Sequence, residues 1–408
     1  MKVAVVILNW NTVDYLRRFL PPLLESVAAY NAGKIFHEKE RADGYSSGNY
    51  ANDSNGTDSG LPDAAEDRAE VVVADSASTD GSMEMVAEEF PSVRRIPLPE
   101  NYGFTGGYNR AFKELDENPT ASAAESGKCG TAGHDDMKYD LFVLLNSDIE
   151  VTRDWLRPLV EWMKSHPECG ACGPKLHSWY ERDKFEYAGA AGGMIDRFGY
   201  PFCRGRVMGR VETDQGQYDA PADVLWVTGA CLMVRASVWK ALGGLDDRFF
   251  AHMEEIDLCW RMQLEGWKVS VVPESTVFHL GGGTLPQNSP QKLYLNYRNN
   301  LLLLDNNLAL TIGRRRAAVR IFFRKILDGC SAAAYLLSLR TDYVSAVWRA
   351  HRDAARLIAG KRDGKRGMKD HYGADAADKR HCRGTHSVAG LYSGCMIPRA
   401  LLGLKIHL

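Results

Sequence analysis

Three apolar segments in the first third of the chain each end in polar side chains, and this pattern constrains the fold more strongly than any other feature. The segments read VAVVIL at residues 3–8, AEVVVAD at 69–75 and YDLFVLL at 139–145. Continuous apolar runs of this length are typical of strands that are buried on both faces of a parallel sheet. Helical patterns follow the first two segments, at residues 13–30 and 83–90. Strand and helix therefore alternate, which predicts an α/β domain with a parallel sheet.

Two kinds of interruption break this alternation. Pro21 and Pro22 lie inside the first helical pattern and predict a kink or a restart of that helix. Residues 31–69 and 117–138 are rich in small and polar residues, which predicts flexible surface insertions. Because each insertion lies between a helix and the next strand, we expect both at the N-terminal edge of the sheet. Ligands bind at the opposite, C-terminal edge.

Polar side chains gather at the ends of the predicted strands. Asn9 and Asn11 follow the first strand, Asp75 follows the second, and Asn146 and Asp148 follow the third. Each of these groups alone is also compatible with a polar turn or a helix cap. The carboxyl ends of parallel strands meet at one edge, where open α/β sheets bind nucleotides. Their combination therefore predicts a nucleotide site at that edge.

A glycine-rich segment, ENYGFTGGYNRAF at residues 100–112, opens another predicted helix. Its glycines, Gly103, Gly106 and Gly107, would allow the backbone to approach a ligand closely. The segment is not a GxGxxG fingerprint, and no glycine loop follows the first strand, so a nicotinamide dehydrogenase is poorly supported. A nucleotidyltransferase would need a basic, glycine-rich loop there, and the sequence LNWNT provides neither feature.

An acidic cluster and a histidine follow in the second half of the chain. Glu254, Glu255 and Asp257 open a segment with a helical apolar face. They are compatible with a solvated helix N-terminus, which favours negative charge, or with a general base beside a hydroxyl group. His279 ends an apolar strand before three glycines. A histidine in this position is either a structural residue or a metal ligand.

Six motifs, taken in their order along residues 2–305, give the chain a specific resemblance. They read VVILNWN, VVVADSASTDGS, NYGFTGGYNRAF, FVLLNSDIEV, WVTGACLMVRASVWKALGGLDDRFFAHMEEIDLCWR and VFHLGGG. In this order they resemble the inverting family 2 glycosyltransferases of the GT-A fold, and most closely their rhamnosyltransferase-like bacterial branch. The resemblance implies an α/β domain with a Rossmann-like mixed sheet flanked by helices, followed by a C-terminal helical extension.

The resemblance also implies a role for each candidate residue. The nucleotide-sugar donor would be bound by Asn9, Asn11, Asp75, Ser76, Gly106, Gly107, Asn109, Asn146 and Asp148. The acceptor would lie near Thr228, Gly229 and Ala230. Asp148 and His279 would hold a divalent cation, Mg²⁺ or Mn²⁺, on the donor diphosphate. Glu255 would be the general base, with Glu254 and Asp257 as alternatives. The family usually has Asp in place of Glu255, and glutamate keeps similar basicity.

The implied activity is transfer of rhamnose from dTDP-rhamnose to a hydroxyl of a cell-surface polysaccharide or a lipid-linked glycan. Two alternatives stay open. The donor could be a UDP-sugar carrying galactofuranose or another hexose, or the chain could bind sugar nucleotides without catalysis.

The remaining residues change in composition. The predicted catalytic domain covers residues 1–305, a basic amphipathic extension 306–368 and a tail 369–408. Between Ala309 and Met368 there are 14 Lys and Arg against 4 Asp, a net charge of +10. This pattern predicts peripheral contact with an anionic membrane through residues 314–366, with a solvated helical bundle or a homodimer surface as alternatives.

Composition and the N-terminus limit the setting of the protein. The net charge of the whole chain is −2, which argues against nucleic acid as a partner. No secretory pattern is present at the N-terminus, so we expect a cytoplasmic protein at the cytoplasmic face of the inner membrane.

Overall fold

A mixed β-sheet of nine strands forms the centre of the described part of the chain in this computed structural model. The described residues are 1–34, 36, 67–118, 139–281, 289–362 and 387–396. The strands of this sheet are β1 (Lys2–Asn9), β2 (Arg68–Ser76), β3 (Arg94–Leu98), β4 (Leu141–Asn146), β5 (Ile149–Val151), β6 (Cys169–Ser178), β11 (Ala222–Asp223), β12 (Cys231–Arg235) and β13 (Lys268–His279). Their order is β11-β13-β6-β12-β4-β1-β2-β3, and β5 pairs with β13.

The first four strands are parallel, as the apolar runs predict. β1 lies between β2 and β4, with Asn9 opposite Asp75 and Leu8 opposite Asn146. β12 runs antiparallel between β4 and β6, which makes the whole sheet mixed. The registers place the polar residues that follow β1, β2 and β4 at one edge of the sheet.

Helices cover both faces of this sheet. They are α1 (Val13–Asn31), α2 (Ser82–Glu89), α3 (Gly103–Glu117), α4 (Leu156–Ser165), α5 (Ala236–Ala241), α6 (Glu254–Leu264), α7 (Pro290–Ile312), α8 (Arg314–Leu337) and α9 (Thr341–Arg362). The apolar sides of α1, α2 and α4 form one core with the sheet, and those of α3, α5, α6 and α7 form the other. The predicted fold class, a mixed sheet flanked by helices with a C-terminal helical extension, is confirmed.

The restart predicted for the first helix is wrong, because α1 runs as one helix through Pro21 and Pro22. Buried residues lie on both sides of the prolines, including Leu16 and Leu23, and they pack against the sheet as one face. The apolar contact of the whole helix therefore outweighs the two hydrogen bonds that the prolines cannot donate.

A second, smaller sheet lies beside the main one and contains part of the C-terminal tail. Its strands are β7 (Gly193–Asp196), β8 (Pro201–Cys203), β9 (Arg206–Val207), β10 (Arg210–Val211) and β14 (Leu391–Tyr392), in the order β10-β9-β8-β7-β14. The backbone N–H of Met396 donates to Asp196 Oδ2 at 2.9 Å. The predicted tail, residues 369–408, thus contributes a strand, although residues 369–386 and 397–408 lie outside the described residues.

The flanks of both predicted insertions lie at the N-terminal edge of the sheet. The Asn31 amide donates to the carbonyl of Ala69 and accepts from its N–H, at 2.9 and 2.8 Å. The N–H of Asp140 donates to the carbonyl of Lys2, the first residue of β1. The insertions themselves fall mostly outside the described residues, so their predicted distance from the site remains a prediction.

The C-terminal helices are built into the fold. The predicted domain boundary at residue 305 falls inside α7, which ends at Ile312. On α8, Arg324 is buried rather than available to a membrane: it pairs with Asp328 at 2.8 Å and lies 3.9 Å from the ring centre of Tyr200. None of the helices among the described residues has both the length and the apolar character needed to span a bilayer.

We expect Arg324→Met to lower the free energy of unfolding by about 3–5 kcal/mol, because it breaks a buried ion pair and leaves the Asp328 carboxylate with His351 in place of a permanently charged partner. Urea denaturation would measure this change. Lys325→Met, at the exposed neighbouring position, should change the free energy by no more than about 0.5 kcal/mol. Arg324→Met combined with Asp328→Leu should recover stability. If the single and double variants are equally unstable, the ion pair is not the cause.

Candidate functional site

A buried carboxylate is fixed at the ends of β1 and β2. Asn9 Nδ2 donates to Asp75 Oδ1 at 2.7 Å. The backbone N–H of Ser78 donates to Asp75 Oδ2 at 2.9 Å, and its hydroxyl donates to Oδ1 at 2.6 Å. Asn9 and Asp75 are both buried, and the parallel register sets them side by side. Asp75 is therefore held rigidly at the C-terminal edge, where sequence analysis places the nucleotide.

Residues around this carboxylate connect it to the end of β4. Asn11 has a left-handed backbone with φ 53°, and its side-chain oxygen accepts from the N–H of Thr79 at 2.8 Å. The Thr12 hydroxyl donates to Ser147 Oγ at 2.9 Å. The hydroxyl of Ser76 is buried and has no hydrogen-bond partner within the described part of the chain. The predicted donor-binding residues of the three strands thus share one polar surface.

Asp148, His279 and Glu186 form a second buried group at the same edge. β5 pairs antiparallel with the end of β13, and Ile149 lies opposite His279. This pairing sets His279 Nε2 3.2 Å from Asp148 Oδ1 and His279 Nδ1 3.4 Å from Glu186 Oε2. Burial acts to raise the pKa of Asp148, but the contact with His279 outweighs it and lowers that pKa. Burial lowers the pKa of His279, and the two carboxylates together raise it to about 10.

The contact between Asp148 and His279 would fit a divalent cation once the cation displaced a proton from His279, because a protonated imidazole cannot bind a metal. Two ligands at right angles on a cation with bonds of about 2.1 Å are about 3 Å apart. Oδ1 of Asp148 and Nε2 of His279 have nearly this separation, 3.2 Å. Among the residues that the structure describes, no three His, Cys, Asp or Glu side chains converge as a metal-binding group. One carboxylate and one imidazole would therefore fill only two coordination positions of the cation. The other positions would be open to phosphate oxygens of the donor and to water, as is common in Mg²⁺ sites.

Glu254 and Glu255 begin α6 next to the predicted acceptor loop. A Cβ built on Gly229 would lie 3.4 Å from Glu255 Cβ. Burial raises the pKa of Glu255 to about 7. Burial and the charge of Glu255 raise the pKa of Glu254 well above its usual value. Of the two glutamates, Glu255 is the one that lies against the predicted acceptor loop, which favours it as a base.

Asp257, the third predicted alternative for the base, has a structural environment. Its side chain is fully buried and pairs with Arg261 at 2.7 Å. The other carboxylate oxygen accepts from Asn306 and Asn307, both at 2.8 Å. The carboxylate joins α6 to α7 and is fully occupied, so the structure gives it no access to a substrate.

Residues of the glycine-rich helix that were predicted to bind the donor instead contact other parts of the protein. A Cβ on Gly106 or Gly107 would lie 2.7 Å from Tyr102 or 2.6 Å from Leu8, so both glycines are needed for packing inside the protein. Asn109 Nδ2 donates to the carbonyl of Leu245 at 2.8 Å, and its oxygen accepts from the Leu245 N–H at 2.9 Å. The contacts of these three residues are therefore with other parts of the protein. A short motif of glycines and an asparagine looks the same in the sequence whether its residues contact the protein or a ligand.

The predicted acceptor loop lies against the end of β4. The carbonyl of Ala230 accepts from the N–H of Asn146 at 2.9 Å, and Thr228 Oγ1 accepts from the N–H of Ala230 at 3.2 Å. The Asn146 side chain forms no hydrogen bond with the described residues. Gly229 stands between these residues and Glu255. The loop therefore lies between the end of β4 and the candidate base.

Two residues of the site were missed by sequence analysis. Glu186 faces His279 from the side opposite Asp148, but it lies in a segment with no recognisable motif. Asn299 is fully buried on α7, and its amide donates to the carbonyls of residues 249, 251 and 252 at 2.7–3.0 Å. Residues 249–253 form the loop that precedes Glu254, and Phe250, His252 and Met253 in this loop have positive φ angles of 65–72°. Asn299 therefore holds a strained loop that positions the candidate base.

We expect Asn299→Leu to lower the free energy of unfolding by about 1–3 kcal/mol, because it removes the donor that the carbonyl groups of Ala251 and His252 share. The backbone amides of residues 249–255 should then exchange with deuterium faster than in the wild type, more than amides elsewhere. Mass-spectrometric hydrogen exchange would measure this. Asn296→Leu, one turn earlier on α7, forms none of these bonds and is the control. Equal exchange in both variants would contradict the role of Asn299.

Comparisons with known proteins show the family to which the chain belongs. The model of a family described as "Glycosyltransferase like family 2" matches residues 58–298, more than half of the chain. An N-acetylglucosaminyl-diphospho-decaprenol L-rhamnosyltransferase of Mycobacterium tuberculosis is 26% identical over 302 residues, 73% of this chain and 91% of that protein. Rhamnosyltransferase WbbL of Escherichia coli is 26% identical over 147 residues, 34% of this chain and 52% of that protein. S. aureus TarS in complex with UDP-GlcNAc has a TM-score of 0.45 at 14% identity, over 91% of this chain and 89% of that one. The extent of the family match shows that the chain belongs to the family 2 glycosyltransferases.

Proposed function

We propose that this glycosyltransferase moves rhamnose from dTDP-rhamnose to a hydroxyl of a lipid-linked glycan or a cell-surface polysaccharide, with inversion at the anomeric carbon. The observation that carries the mechanism is Glu255, whose raised pKa of about 7 coincides with its place beside the loop of Gly229. The relative from M. tuberculosis is named for rhamnose transfer to an acceptor that carries a diphosphate-linked lipid, which supports the donor and the acceptor class.

Each group of residues has one task in this mechanism. Asp75, held by Asn9 and Ser78, faces the nucleotide base. Asp148 and His279 would hold Mg²⁺ or Mn²⁺, and the bound cation would neutralise charge on the leaving diphosphate. Glu255 accepts the proton of the acceptor hydroxyl. The acceptor oxygen forms a bond to the anomeric carbon, while the bond to the donor phosphate oxygen breaks and its electron pair leaves with the diphosphate.

The pKa of Glu255 determines how the rate depends on pH. The base acts only as a carboxylate, so kcat/KM should rise as pH increases through about 7 and reach a plateau above it. A glutamate with an ordinary pKa would be fully ionised over this range, and the rate would not change.

A panel of nucleotide sugars tests the proposal directly. We expect release of the nucleoside diphosphate from dTDP-rhamnose when an acceptor and Mn²⁺ are present, and loss of release when a chelator removes the cation. Cleavage of a UDP-hexose instead of dTDP-rhamnose would show that the donor is a UDP-sugar. Binding of sugar nucleotides without release from any donor or acceptor in the panel would support the non-catalytic alternative.

Substitutions of the acidic residues test the base in the same assay. Glu255→Gln should lower kcat by about 10²- to 10⁴-fold and abolish the pH dependence near 7. Glu254→Gln is the matched control, because a carboxyl group that stays protonated is replaced by a neutral amide of the same size. If Glu254→Gln has the larger effect on kcat, the two roles must be exchanged.

We also propose that α8 contacts an anionic membrane surface. Val319, Phe322, Phe323 and Ile326 are 46–61% exposed, and their spacing places them on one face of the helix. Arg314, Arg315, Arg316 and Lys325 are exposed on the same helix. An exposed apolar stripe with basic residues suits the boundary between lipid headgroups and acyl chains. Peripheral contact of this kind would bring the enzyme to a lipid-linked acceptor.

Co-sedimentation with lipid vesicles tests this contact. The wild type should bind vesicles that contain an anionic lipid at low salt, and binding should weaken as salt screens the basic residues. Phe322→Ser combined with Phe323→Ser should weaken binding strongly, whereas Leu310→Ser, an exposed leucine on α7, should not. Failure of the wild type to bind any vesicle, or dimerisation that depends on the two phenylalanines, would contradict the membrane contact.

A further inference from the structure

Arg206 has a buried positive charge that the mechanism above does not use. Its side chain is only 6% exposed. Nη2 donates to the sulfur of Cys203 at 3.3 Å, and Nε is buried without a hydrogen-bond partner. Within the described part of the chain, no Asp or Glu lies at ion-pair distance from the guanidinium group. An arginine with five donors is thus left with one weak acceptor.

The location of Arg206 brings it next to one part of the site. β9 begins at Arg206, which lies opposite Cys203 in the smaller sheet. The guanidinium carbon is 4.4 Å from the ring centre of Tyr187, the residue after Glu186. Glu186 in turn contacts His279. Arg206 therefore stands next to the group around His279, on a wall that it forms with Tyr187 and Cys203.

The surroundings of Arg206 fit a ligand better than a structural ion pair. A buried guanidinium without an anion costs several kcal/mol of desolvation, and native proteins rarely leave such a group unpaired. The ring of Tyr187 covers one face of the guanidinium, and that residue is 40% exposed, so this wall reaches solvent. The planar edge of a guanidinium matches two phosphate oxygens at once.

We propose that Arg206 binds a diphosphate group of a substrate from the wall formed by Tyr187 and Cys203. This inference rests on the proposed function, because both substrates of that reaction can carry a diphosphate. The donor diphosphate already has the cation that Asp148 and His279 would hold, whereas the acceptor diphosphate has no positively charged partner in the proposed mechanism. The acceptor is therefore the expected source, in which case Arg206 recognises the linkage between the acceptor sugar and its lipid.

The test compares two acceptors that carry the same sugar, a short-chain prenyl-diphosphate glycoside and an uncharged alkyl glycoside. Arg206→Gln should raise KM for the diphosphate acceptor by about 10- to 100-fold, since a charged hydrogen bond contributes about 1.5–3 kcal/mol. Its kcat, and its KM for the alkyl glycoside, should stay within about twofold of the wild type. Arg210→Gln, an exposed arginine on the neighbouring strand, is the matched control.

Direct binding measurements keep the test independent of the sugar. Calorimetry with inorganic pyrophosphate and with dTDP, in a chelator, should show weaker pyrophosphate binding by Arg206→Gln and unchanged dTDP binding. If Arg206→Gln binds dTDP more weakly and its KM values for the two acceptors match those of the wild type, Arg206 contacts the diphosphate of the donor rather than that of the acceptor. If Arg206→Gln does not fold, Arg206→Lys keeps the charge but loses the planar fork, and should give a smaller loss.

The outcomes separate this inference from the proposed function. If no donor in the panel is cleaved, the proposed function fails, whereas loss of pyrophosphate binding in Arg206→Gln would still support the phosphate site. If folded Arg206→Gln and Arg206→Lys bind pyrophosphate and both acceptors as the wild type does, the inference is overturned.

Discussion

The antiparallel pairing of β5 with the end of β13 determines where the polar groups of the site stand. Ile149 lies opposite His279, and the N–H of Leu280 donates to the carbonyl of Asp148 at 3.1 Å. Because Asp148 directly precedes β5, this pairing brings its carboxylate to the imidazole from a distant part of the sequence. A shift of the pairing by one residue would turn alternate side chains to the opposite face and separate the two groups. The proposed cation site therefore depends on the register of three residue pairs.

The arrangement of the strand ends could be predicted from the sequence because its signal is local. Continuous apolar runs identify buried parallel strands, and their carboxyl ends share an edge in any sheet of this kind. Asn9, Asp75 and Asp148 therefore meet at one edge as expected, and the C-terminal helices follow as expected. The smaller sheet has strands of only two to four residues, and β14 comes from the tail. Runs this short have no detectable period, so nothing in the sequence indicates them.

Polar residues in short motifs were harder to interpret, because the same side chain can form hydrogen bonds either within the protein or with a ligand. Asn109 and Asp257 stand in the motifs that predict donor and base residues, yet hydrogen bonds inside the protein occupy both. Glu186 and Arg206 have no local motif, and only the three-dimensional structure brings them to the site. The useful distinction is whether a buried polar atom has a partner. The free oxygens of Glu254 and Glu255 and the free nitrogen of Arg206 meet that criterion.

The candidate base is positioned at a cost in free energy, and contacts with α7 offset that cost. Left-handed residues other than glycine cost roughly 1–3 kcal/mol each, and the loop before α6 contains three of them. Burying one oxygen without a partner on each of the two glutamates adds a further cost. Asn299 binds the loop, and Asn306 and Asn307 bind Asp257 on α6, so α7 fixes both ends of the segment that carries Glu255. A division of the chain at residue 305 would separate these contacts. We therefore expect the catalytic unit to include the whole of α7, and a truncation within this helix should release the candidate base before it disrupts the sheet.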